Sequence, residues 1–322
     1  MSLLYFTKSL CKKMPFLQKV AIKYFYIYFL KIKAKKNKLS IESGKNYCEF
    51  HSNNGKVIRL NKRHLIYGKD IIDSFDYYFS AVEPLLVDSI RLVDYSLPKY
   101  HDVVGFDKHP IYFPSLSEPI LTTHQYLDFA NINDSDIVLD LGAYSGLTSI
   151  IFKEKVGKTG KVIAIDADEQ NSRAIQKNFS LYQKITGNNI DFLNKAVWIH
   201  DNVLSFSNEG NMGSSASEIV GDYRGDVKFI PCVKLSSISN LYGLSKINFI
   251  KCDVEGAESV IFEDKDFFKK YMPKIIVETH FIDNVETTEK VISDLSKYGY
   301  TFKKIIQTGV TLPLLECYPP VK

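Results

Sequence analysis

The feature that most constrains the fold is a series of short apolar runs in the second half of the chain, separated by stretches of helical periodicity. Near-continuous apolar runs are typical of strands that are buried on both faces of a parallel sheet. The helices that connect such strands cover the two faces. The predicted strands span residues 137–141, 161–166, 190–199, 247–253 and 274–279, and the predicted helices span residues 146–156, 169–185, 256–271 and 285–298.

This alternation predicts an α/β fold with a doubly wound, mostly parallel, Rossmann-like sheet. Two further runs, at residues 300–306 and 310–315, flank a Thr308-Gly309 turn and predict a C-terminal antiparallel hairpin. We divide the chain into a basic, aromatic N-terminal segment at residues 1–40, an accessory or lid region at 41–118, and the α/β domain at 119–322. In the accessory region, the patterns predict a hairpin over 47–61, a helix over 71–93 and a loop over 98–119.

The net charge of +4 is unevenly distributed along the chain. Residues 1–40 contain ten lysines and no acidic residue, so the remaining 31 basic residues face 37 acidic ones and carry a net charge of −6. A body of that charge is a poor electrostatic partner for a phosphate backbone. From the net negative charge of residues 41–322 we therefore expect that the substrate is not a nucleic acid.

The N-terminal segment also contains an aromatic run at residues 24–30, between Lys23 and Lys31. The run is much shorter than the ~20 residues of a membrane-spanning helix. Lysines beside aromatic residues suit a segment that lies among lipid headgroups, which predicts peripheral membrane contact through residues 1–38. The alternative is a surface helix that packs its aromatic residues on the body.

The five cysteines are widely spaced and contain no CxxC pair, which indicates a reducing compartment. The N-terminus lacks a small-residue cleavage site after an apolar core. We expect a cytoplasmic protein, with any membrane contact at the inner face. The sequence does not indicate an oligomeric state.

Two predicted strands end in residues that suit a bound ligand, because ligands of such sheets bind beyond the carboxyl ends of the strands. The first strand leads into residues 140–146 (DLGAYSG), where two glycines allow a sharp turn and a close approach of the backbone. The turn matches neither the GxGxxG fingerprint nor a phosphate-binding P-loop. The second strand ends at Asp166, whose carboxylate can accept both hydroxyls of a ribose. Together they predict a ribose-binding site.

Several blocks resemble, in order and spacing, the FkbM family of methyltransferases: VLDLGAYSGLTSI, VIAIDADEQNSRAIQKN, NKAVW, INFIKCDVEGAE and PKIIVETH. The resemblance covers residues 119–281, and KCDVEGAE is its most specific element. It implies a class I methyltransferase fold with S-adenosylmethionine as the cofactor. The chain departs from the family at Tyr144, where an Asn is commoner, and at residues 235–238 (LSSI), where the family usually has Leu-Asp-Asp/Glu.

The resemblance implies that the glycine turn surrounds the methionine part of the cofactor, that Asp166 holds the ribose, and that residues 194–197 border the adenine. The candidate cofactor-binding residues are Asp140, Gly142, Ala143, Tyr144, Gly146, Asp166, Ala167, Asn194, Ala196 and Asp253.

Methyl transfer from a sulfonium is an in-line displacement, so the acceptor must be aligned and, if it is a hydroxyl, deprotonated. Asp253 follows an apolar strand, where an unpaired carboxylate would be costly, and is the first candidate for the base or for orienting the acceptor. His280 has the proton affinity of a base near neutral pH. Glu255 precedes the next predicted helix, where an acid also favours the helix dipole. The predicted catalytic residues are therefore Asp253, His280 and Glu255.

Together with Glu278, these side chains could supply metal ligands, but no compact spacing such as HExxH supports a metal, and we predict none.

The Gly-, Asn- and Ser-rich loop at residues 208–215 suits a polyhydroxylated acceptor. The resemblance implies small hydroxylated acceptors, so we predict O-methylation of a sugar hydroxyl on a nucleotide-linked, lipid-linked or polysaccharide unit. The alternatives are N-methylation of an amide or amine, and a membrane-associated protein that binds the cofactor without catalysis.

Overall fold

The structure, a computed structural model, describes residues 16–208, 215–216, 226–282 and 285–321. The chain divides into two compact units, Met1–Leu97 and Pro98–Lys322. Residues 98–118, which the sequence analysis assigned to the accessory region, therefore belong to the same unit as the α/β domain. The three-part domain division stays a prediction. Among the described helices, none is long and apolar enough to span a bilayer.

The first unit is a helix followed by a five-stranded sheet with the order β1-β2-β3-β5-β4. Its elements are α1 (Phe16–Lys36), β1 (Leu39–Ser43), β2 (Tyr47–Ser52), β3 (Lys56–Asn61), a 3₁₀ helix (Lys62–Tyr67), α2 (Gly68–Asp73), α3 (Phe75–Phe79), β4 (Leu85–Val87) and β5 (Ile90–Tyr95). The antiparallel pair β2–β3 confirms the hairpin predicted over residues 47–61.

The helix predicted over residues 71–93 is wrong. Helical structure ends at Phe79, and the strands β4 and β5 follow it. Pro84 lacks the backbone N–H that a helix interior requires. Asp88 and Ser89 both adopt positive φ, at 45° and 67°, which turns the chain into the antiparallel pair β4–β5. Local backbone constraints thus override the helical spacing of the apolar residues.

The second unit contains a seven-stranded sheet, and its strands and helices follow the predicted alternation. Its elements are β6 (Lys99–Val103), β7 (Phe106–Phe113), α4 (Ile120–Ala130), β8 (Ile137–Leu141), α5 (Leu147–Val156), β9 (Lys161–Ile165), α6 (Glu169–Thr186), β10 (Asp191–Leu193), β11 (Ala196–Val197), β12 (Val203–Asn208), β13 (Ser215–Ala216), β14 (Asp226–Val233), α7 (Leu235–Leu241), β15 (Phe249–Cys252), α8 (Glu258–Ile261), α9 (Lys265–Phe268), β16 (Lys274–Glu278), β17 (Phe281–Ile282), β18 (Val285–Glu286), α10 (Thr288–Ser296), β19 (Thr301–Ile306) and β20 (Pro313–Tyr318).

The strand order of this sheet is β10-β9-β8-β15-β16-β20-β19. Within this sheet, the neighbouring strands β10, β9, β8, β15 and β16 are parallel, and β20 lies antiparallel between β16 and β19. The predicted doubly wound fold and its C-terminal hairpin are confirmed. The order reverses between β8 and β15, and in such sheets the ligand cleft opens at that point.

The apolar runs form the centre of the sheet, as their composition predicts. Leu139, Ile163, Ile250 and Ile275 lie on four adjacent strands and are all fully buried. Burying one such side chain contributes about 1.5–3 kcal/mol relative to leaving it exposed. The packed strands therefore hold their polar carboxyl ends in fixed positions.

Three further predictions are corrected in this unit. The loop over residues 98–119 contains the antiparallel pair β6–β7. The strand over 190–199 is divided, because β11 pairs with β14 outside the seven-stranded sheet. The helix over 256–271 is replaced by the single-turn helices α8 and α9, the second of which begins where the Asp264 side chain accepts a hydrogen bond from the Phe267 N–H.

Candidate active site

The glycine turn after β8 lies directly against the end of β15. Gly142 has a φ of +77°, and an added Cβ atom would lie 1.7 Å from the carbonyl oxygen of Asp253. Gly146 has a φ of +80°, and its added Cβ would lie 2.5 Å from the ring of Phe179. No side chain fits at Gly142 without moving backbone, so the sequence keeps a glycine where the cleft opens.

Tyr144, the departure from the family pattern, links the turn to two other segments. It adopts a φ of +53°, and its N–H donates to Asp166 Oδ2 at 2.8 Å. Its hydroxyl donates to the Leu116 carbonyl at 2.7 Å and accepts from the Ser115 N–H at 3.2 Å. The side chain thus fixes the segment that follows β7 to the glycine turn.

Asp166 lies at the end of β9, as predicted, and is almost fully buried. Its Oδ1 accepts from the Asp168 N–H at 2.9 Å, and Asn171 Nδ2 donates to the same carboxylate at 3.3 Å. Burial, reinforced by the Asp168 charge, raises the pKa of Asp166 to about 7. Asn194 Nδ2 donates to the Asp166 carbonyl at 2.8 Å, so these two predicted cofactor residues are in contact.

The other predicted cofactor residues divide between the turn and the core. The Ala143 N–H donates to the Ile165 carbonyl at 3.1 Å, which joins the turn to the end of β9. Ala167 is half-buried next to Asp166. Ala196 is a buried member of the apolar core. Its predicted place beside the adenine stays a prediction.

Lys251 is a buried cation beneath the turn, and the sequence analysis did not select it. Its Nζ donates to the Gly142 carbonyl at 2.6 Å and lies 3.5 Å from Asp140 Oδ1 and 3.4 Å from Asp253 Oδ2. Burial alone would lower the pKa of Lys251, but the carboxylates of Asp253 and Asp140 outweigh it and raise the pKa. Asp140 is fully buried and also accepts from Ser149 Oγ, so it supports the turn from below.

The three predicted catalytic residues meet at the carboxyl ends of β15 and β16. His280 Nε2 lies 3.6 Å from Asp253 Oδ1, 3.8 Å from Glu255 Oε1 and 4.0 Å from Glu278 Oε1. Burial would lower the pKa of His280, but the carboxylates of Glu255 and Glu258 outweigh it and raise the pKa well above its ordinary value. The surrounding carboxylates thus favour the charged form of the imidazole.

Glu258 orients His280 from behind. The glutamate is fully buried, and its Oε1 lies 3.1 Å from His280 Nδ1 and accepts from Thr287 Oγ1 at 2.8 Å. Its Oε2 accepts from the Gly256 N–H at 2.7 Å. Both oxygens are engaged by the protein, so Glu258 holds the imidazole and the start of α8 in place.

Glu118 interacts electrostatically with Asp253 and Glu278, and no sequence pattern predicts this. Desolvation and the charge of Asp253 raise the pKa of Glu118 to about 7. Gln307 Nε2 donates to Glu118 Oε2 at 2.9 Å. Glu118 follows no strand of the main sheet, so the rule that directs attention to strand ends cannot find it. Burial and the charges of Asp253 and Glu118 likewise raise the pKa of Glu278 well above its ordinary value.

Donor atoms of Asp253, Glu278 and His280 lie within 4.8 Å of one another, and these are the residues of the cleft that could hold a metal ion. A protonated imidazole has no lone pair for a metal, so binding would require His280 to lose its proton. The prediction of no metal stays a prediction. The loop predicted to contact the acceptor lies mostly outside the described residues, at 209–214.

The sheet order with its antiparallel β20, the glycine turn and the acidic end of β9 together define a class I S-adenosylmethionine-dependent methyltransferase. The Methyltransferase FkbM domain matches residues 140–302, about half of the chain, and the chain belongs to this family. The predicted family, fold, enzyme class and cofactor are confirmed.

Several solved structures are similar to this chain. Methyltransferase FkbM from Methylobacillus flagellatus KT is 17% identical, over 60% of this chain and 50% of that one, with a TM-score of 0.36. Precorrin-6y C5,15-methyltransferase from Geobacter metallireducens GS-15 is 14% identical, over 61% and 84%, with a TM-score of 0.37. Aeropyrum pernix fibrillarin in complex with natively bound S-adenosylmethionine is 10% identical, over 86% and 97%, with a TM-score of 0.38. No curated protein matches the sequence.

Proposed function

We propose that this methyltransferase O-methylates a hydroxyl of a sugar. The observation that carries the proposal is a group of carboxyl side chains at the ends of β15 and β16: Asp253 and Glu278 lie near His280, and Glu118 interacts electrostatically with both carboxylates. Carboxylates accept hydrogen bonds from hydroxyls, and several of them in one cleft suit an acceptor with several hydroxyls. The family resemblance favours the same class of acceptor.

The cofactor, when bound, supplies a methyl group on a sulfonium. The residues of the chain do the positioning: the glycine turn allows close approach, and Asp166 accepts the ribose hydroxyls. The chemistry that it would supply is in-line displacement at the methyl carbon, and the chain's own part would be to align the acceptor oxygen and to take up the hydroxyl proton. Alignment of this kind supplies about 7–11 kcal/mol in well-oriented model reactions.

Asp253 is the proposed base. Neighbouring carboxylates raise the pKa of His280 and favour its charged form, so it serves as a charge partner rather than as the base. The Asp253 side chain is 30% exposed, whereas those of Glu255, Glu278 and Glu258 are 23%, 7% and 0% exposed. Asp253 is therefore the most accessible of the carboxylates that lie near His280. Glu118 changes its protonation near neutral pH and binds a neighbouring hydroxyl.

The proposal is tested by incubating the full chain with S-adenosylmethionine and a panel of nucleotide sugars and oligosaccharides. We expect mass spectrometry to find a methyl ether on one sugar. Transfer only to an amide or amine nitrogen would contradict the O-methylation. Tight cofactor binding without any transfer would favour the non-catalytic alternative, and no binding at millimolar cofactor would refute the cofactor site.

We also propose peripheral membrane contact through α1. Its residues Phe25, Tyr28 and Ile32 are 52%, 63% and 44% exposed and share one helix face, whereas Leu30 and Ala34 are buried. The lysines of the segment favour anionic headgroups. Residues 1–15 lie outside the described residues.

Replacing all three exposed residues by Ser should release the protein from vesicles that contain phosphatidylserine, as measured by co-sedimentation. The matched control replaces Ile185, Ile199 and Ile306, which are exposed apolar residues of the second unit, by Ser. Equal release by both triple variants, or by neither, would contradict a specific contact through α1.

A further inference from the structure

A groove of about 710 Å³ lies in the second unit between the β6–β7 hairpin and α6. The residues that matter here line its two walls: Tyr100, Tyr112 and Pro114 on one side, and Arg173, Lys177 and Lys184 on the other. We call this feature the tyrosine groove. Among the described residues that line it, none is acidic.

The tyrosine groove is locally cationic on a body whose net charge, outside residues 1–40, is −6. Its three cations lie on one helix and are separated by four and by seven residues. At a rise of 1.5 Å per residue these steps are about 6 Å and about 10 Å along the axis. Arg173 forms an ion pair with Glu169, one turn earlier on the helix, so Lys177 and Lys184 supply most of the positive charge of the groove. The groove therefore suits an extended anion that carries several charges along its length.

The tyrosines offer one open aromatic face. Their ring centroids are 5.2 Å apart, with an angle of 74° between the planes. Lys177 Nζ lies 3.7 Å from the centroid of Tyr112 and covers that ring. Tyr100 is 46% exposed. A sugar ring can lie on the open ring of Tyr100, whereas the edge-to-face pair leaves no parallel slot for a base between the two tyrosines.

Buried hydrogen bonds connect this groove to the cofactor turn. Asn178 is fully buried; its Oδ1 accepts from the Tyr112 N–H at 2.8 Å, and its Nδ2 donates to the Tyr112 carbonyl at 2.9 Å. The same Nδ2 donates to the Ser145 carbonyl at 2.8 Å. The groove wall is thus held in place by the residue that also supports the glycine turn.

The chain from Tyr112 runs on to Glu118, whose carboxylate interacts electrostatically with that of Asp253. Six extended residues span at most about 20 Å. An acceptor several units long is therefore long enough to cover the distance between the tyrosine groove and the carboxylate cluster.

We propose that the tyrosine groove binds a carboxylate-bearing saccharide chain, which is the acceptor of the methyl group. The proposal rests on the proposed function in one respect, that the bound chain is what is methylated. Binding of the chain itself is independent of catalysis and is measured separately.

The probe is a fluorescently labelled hexagalacturonate, with maltohexaose as its uncharged counterpart, added to the full chain at low and at high salt. The test variant is Lys177→Glu with Lys184→Glu. The matched control is Lys155→Glu with Lys158→Glu, which makes the same change of charge outside the groove. Affinity for S-adenosylmethionine is measured in parallel to show that the cofactor site is intact.

We expect the Kd for hexagalacturonate to rise by about tenfold in the test variant and by less than about twofold in the control. Tyr100→Ala should weaken binding without changing its salt dependence. Equal affinities for the two hexasaccharides, or equal losses in the two double variants, would overturn the proposal. Tighter binding of a single-stranded oligonucleotide would assign the groove to nucleic acid instead. Hexagalacturonate binding without methyl transfer to any sugar would refute the proposed function and leave the groove assignment standing.

Discussion

The two ends of the cleft differ in how the chain builds them. The predicted cofactor end, with Gly142, Tyr144 and Asp166, comes from two strand ends that are close in sequence and rich in backbone hydrogen bonds. In the proposed acceptor end, Glu118 interacts with Asp253, which lies near His280, although Glu118 is more than a hundred residues away from both. The first end is a local motif, whereas the second exists only once the sheet has formed.

The largest expected effect separates chemistry from binding. Asp253→Asn should lower kcat by about 10²–10⁴-fold, because the amide cannot accept the hydroxyl proton. Cofactor affinity should stay within a few-fold, as measured by calorimetry. The control is Asp266→Asn, an exposed acid on α9. Unchanged turnover would remove Asp253 from the mechanism and leave the acceptor end without its base.

Gly142→Ala tests the cofactor end. Its Cβ would lie 1.7 Å from a backbone oxygen, so the turn must move. We expect the Kd for S-adenosylmethionine to rise by about 100-fold. Gly187→Ala is the matched control, since Gly187 has a similar φ of +74° with nothing within 4 Å of the added Cβ. Equal losses in the two variants would attribute the effect to backbone strain rather than to the close approach.

Glu118→Gln tests whether the acceptor end senses pH. Since the pKa of Glu118 is about 7, its carboxylate is mostly protonated at pH 6 and mostly ionised at pH 8. Turnover at saturating cofactor should rise by about tenfold between these values and lose that rise in the variant. Glu289→Gln, on the exposed side of α10, should keep it. An unchanged pH profile in Glu118→Gln would remove this residue from acceptor binding.

The pH dependence of cofactor binding should be similar in size to that of turnover. Ribose hydroxyls donate to the ionised form of Asp166, whose pKa is about 7, so below that pH a proton must first be released. The Kd for S-adenosylmethionine should therefore fall by about tenfold from pH 6 to pH 8. Asp166→Asn should bind weakly, with the same Kd at both values. A variant that keeps the wild-type slope would show that another group titrates.

The same acid affects the stability of the cofactor-free protein. The pKa of Asp166 is raised above its unfolded value, so its contribution to the free energy of unfolding is fully present below about pH 4. That contribution is lost as the pH rises through about 7. Cofactor binding should offset this loss of stability, because the ribose hydroxyls bind the ionised form of Asp166.

The contrast between the two ends explains what the sequence could predict. Apolar runs and their spacing predicted the central sheet, because they are a local pattern. The strand-end rule selected Asp166, Asp253 and His280, which the structure places at the carboxyl ends of β9, β15 and β16, and their roles stay predictions. Glu118 and Lys251 could not be found in this way. Glu118 follows the β6–β7 hairpin, whose scattered Pro and Gly residues led to the prediction of a loop. Its raised pKa depends on burial and on the charge of Asp253, which only the folded chain shows. Lys251 lies within a strand, where only the folded sheet shows that its ammonium reaches the turn.

Tyr144 has a kinetic consequence. Its backbone belongs to the turn that is predicted to bind the cofactor, and its hydroxyl is hydrogen-bonded to Ser115 and Leu116, in the segment that leads to Glu118. A cofactor that orders the turn should therefore also order the segment that leads to the proposed acceptor site. Initial-rate kinetics should accordingly follow an ordered sequence, with S-adenosylmethionine binding first and its demethylated product leaving last.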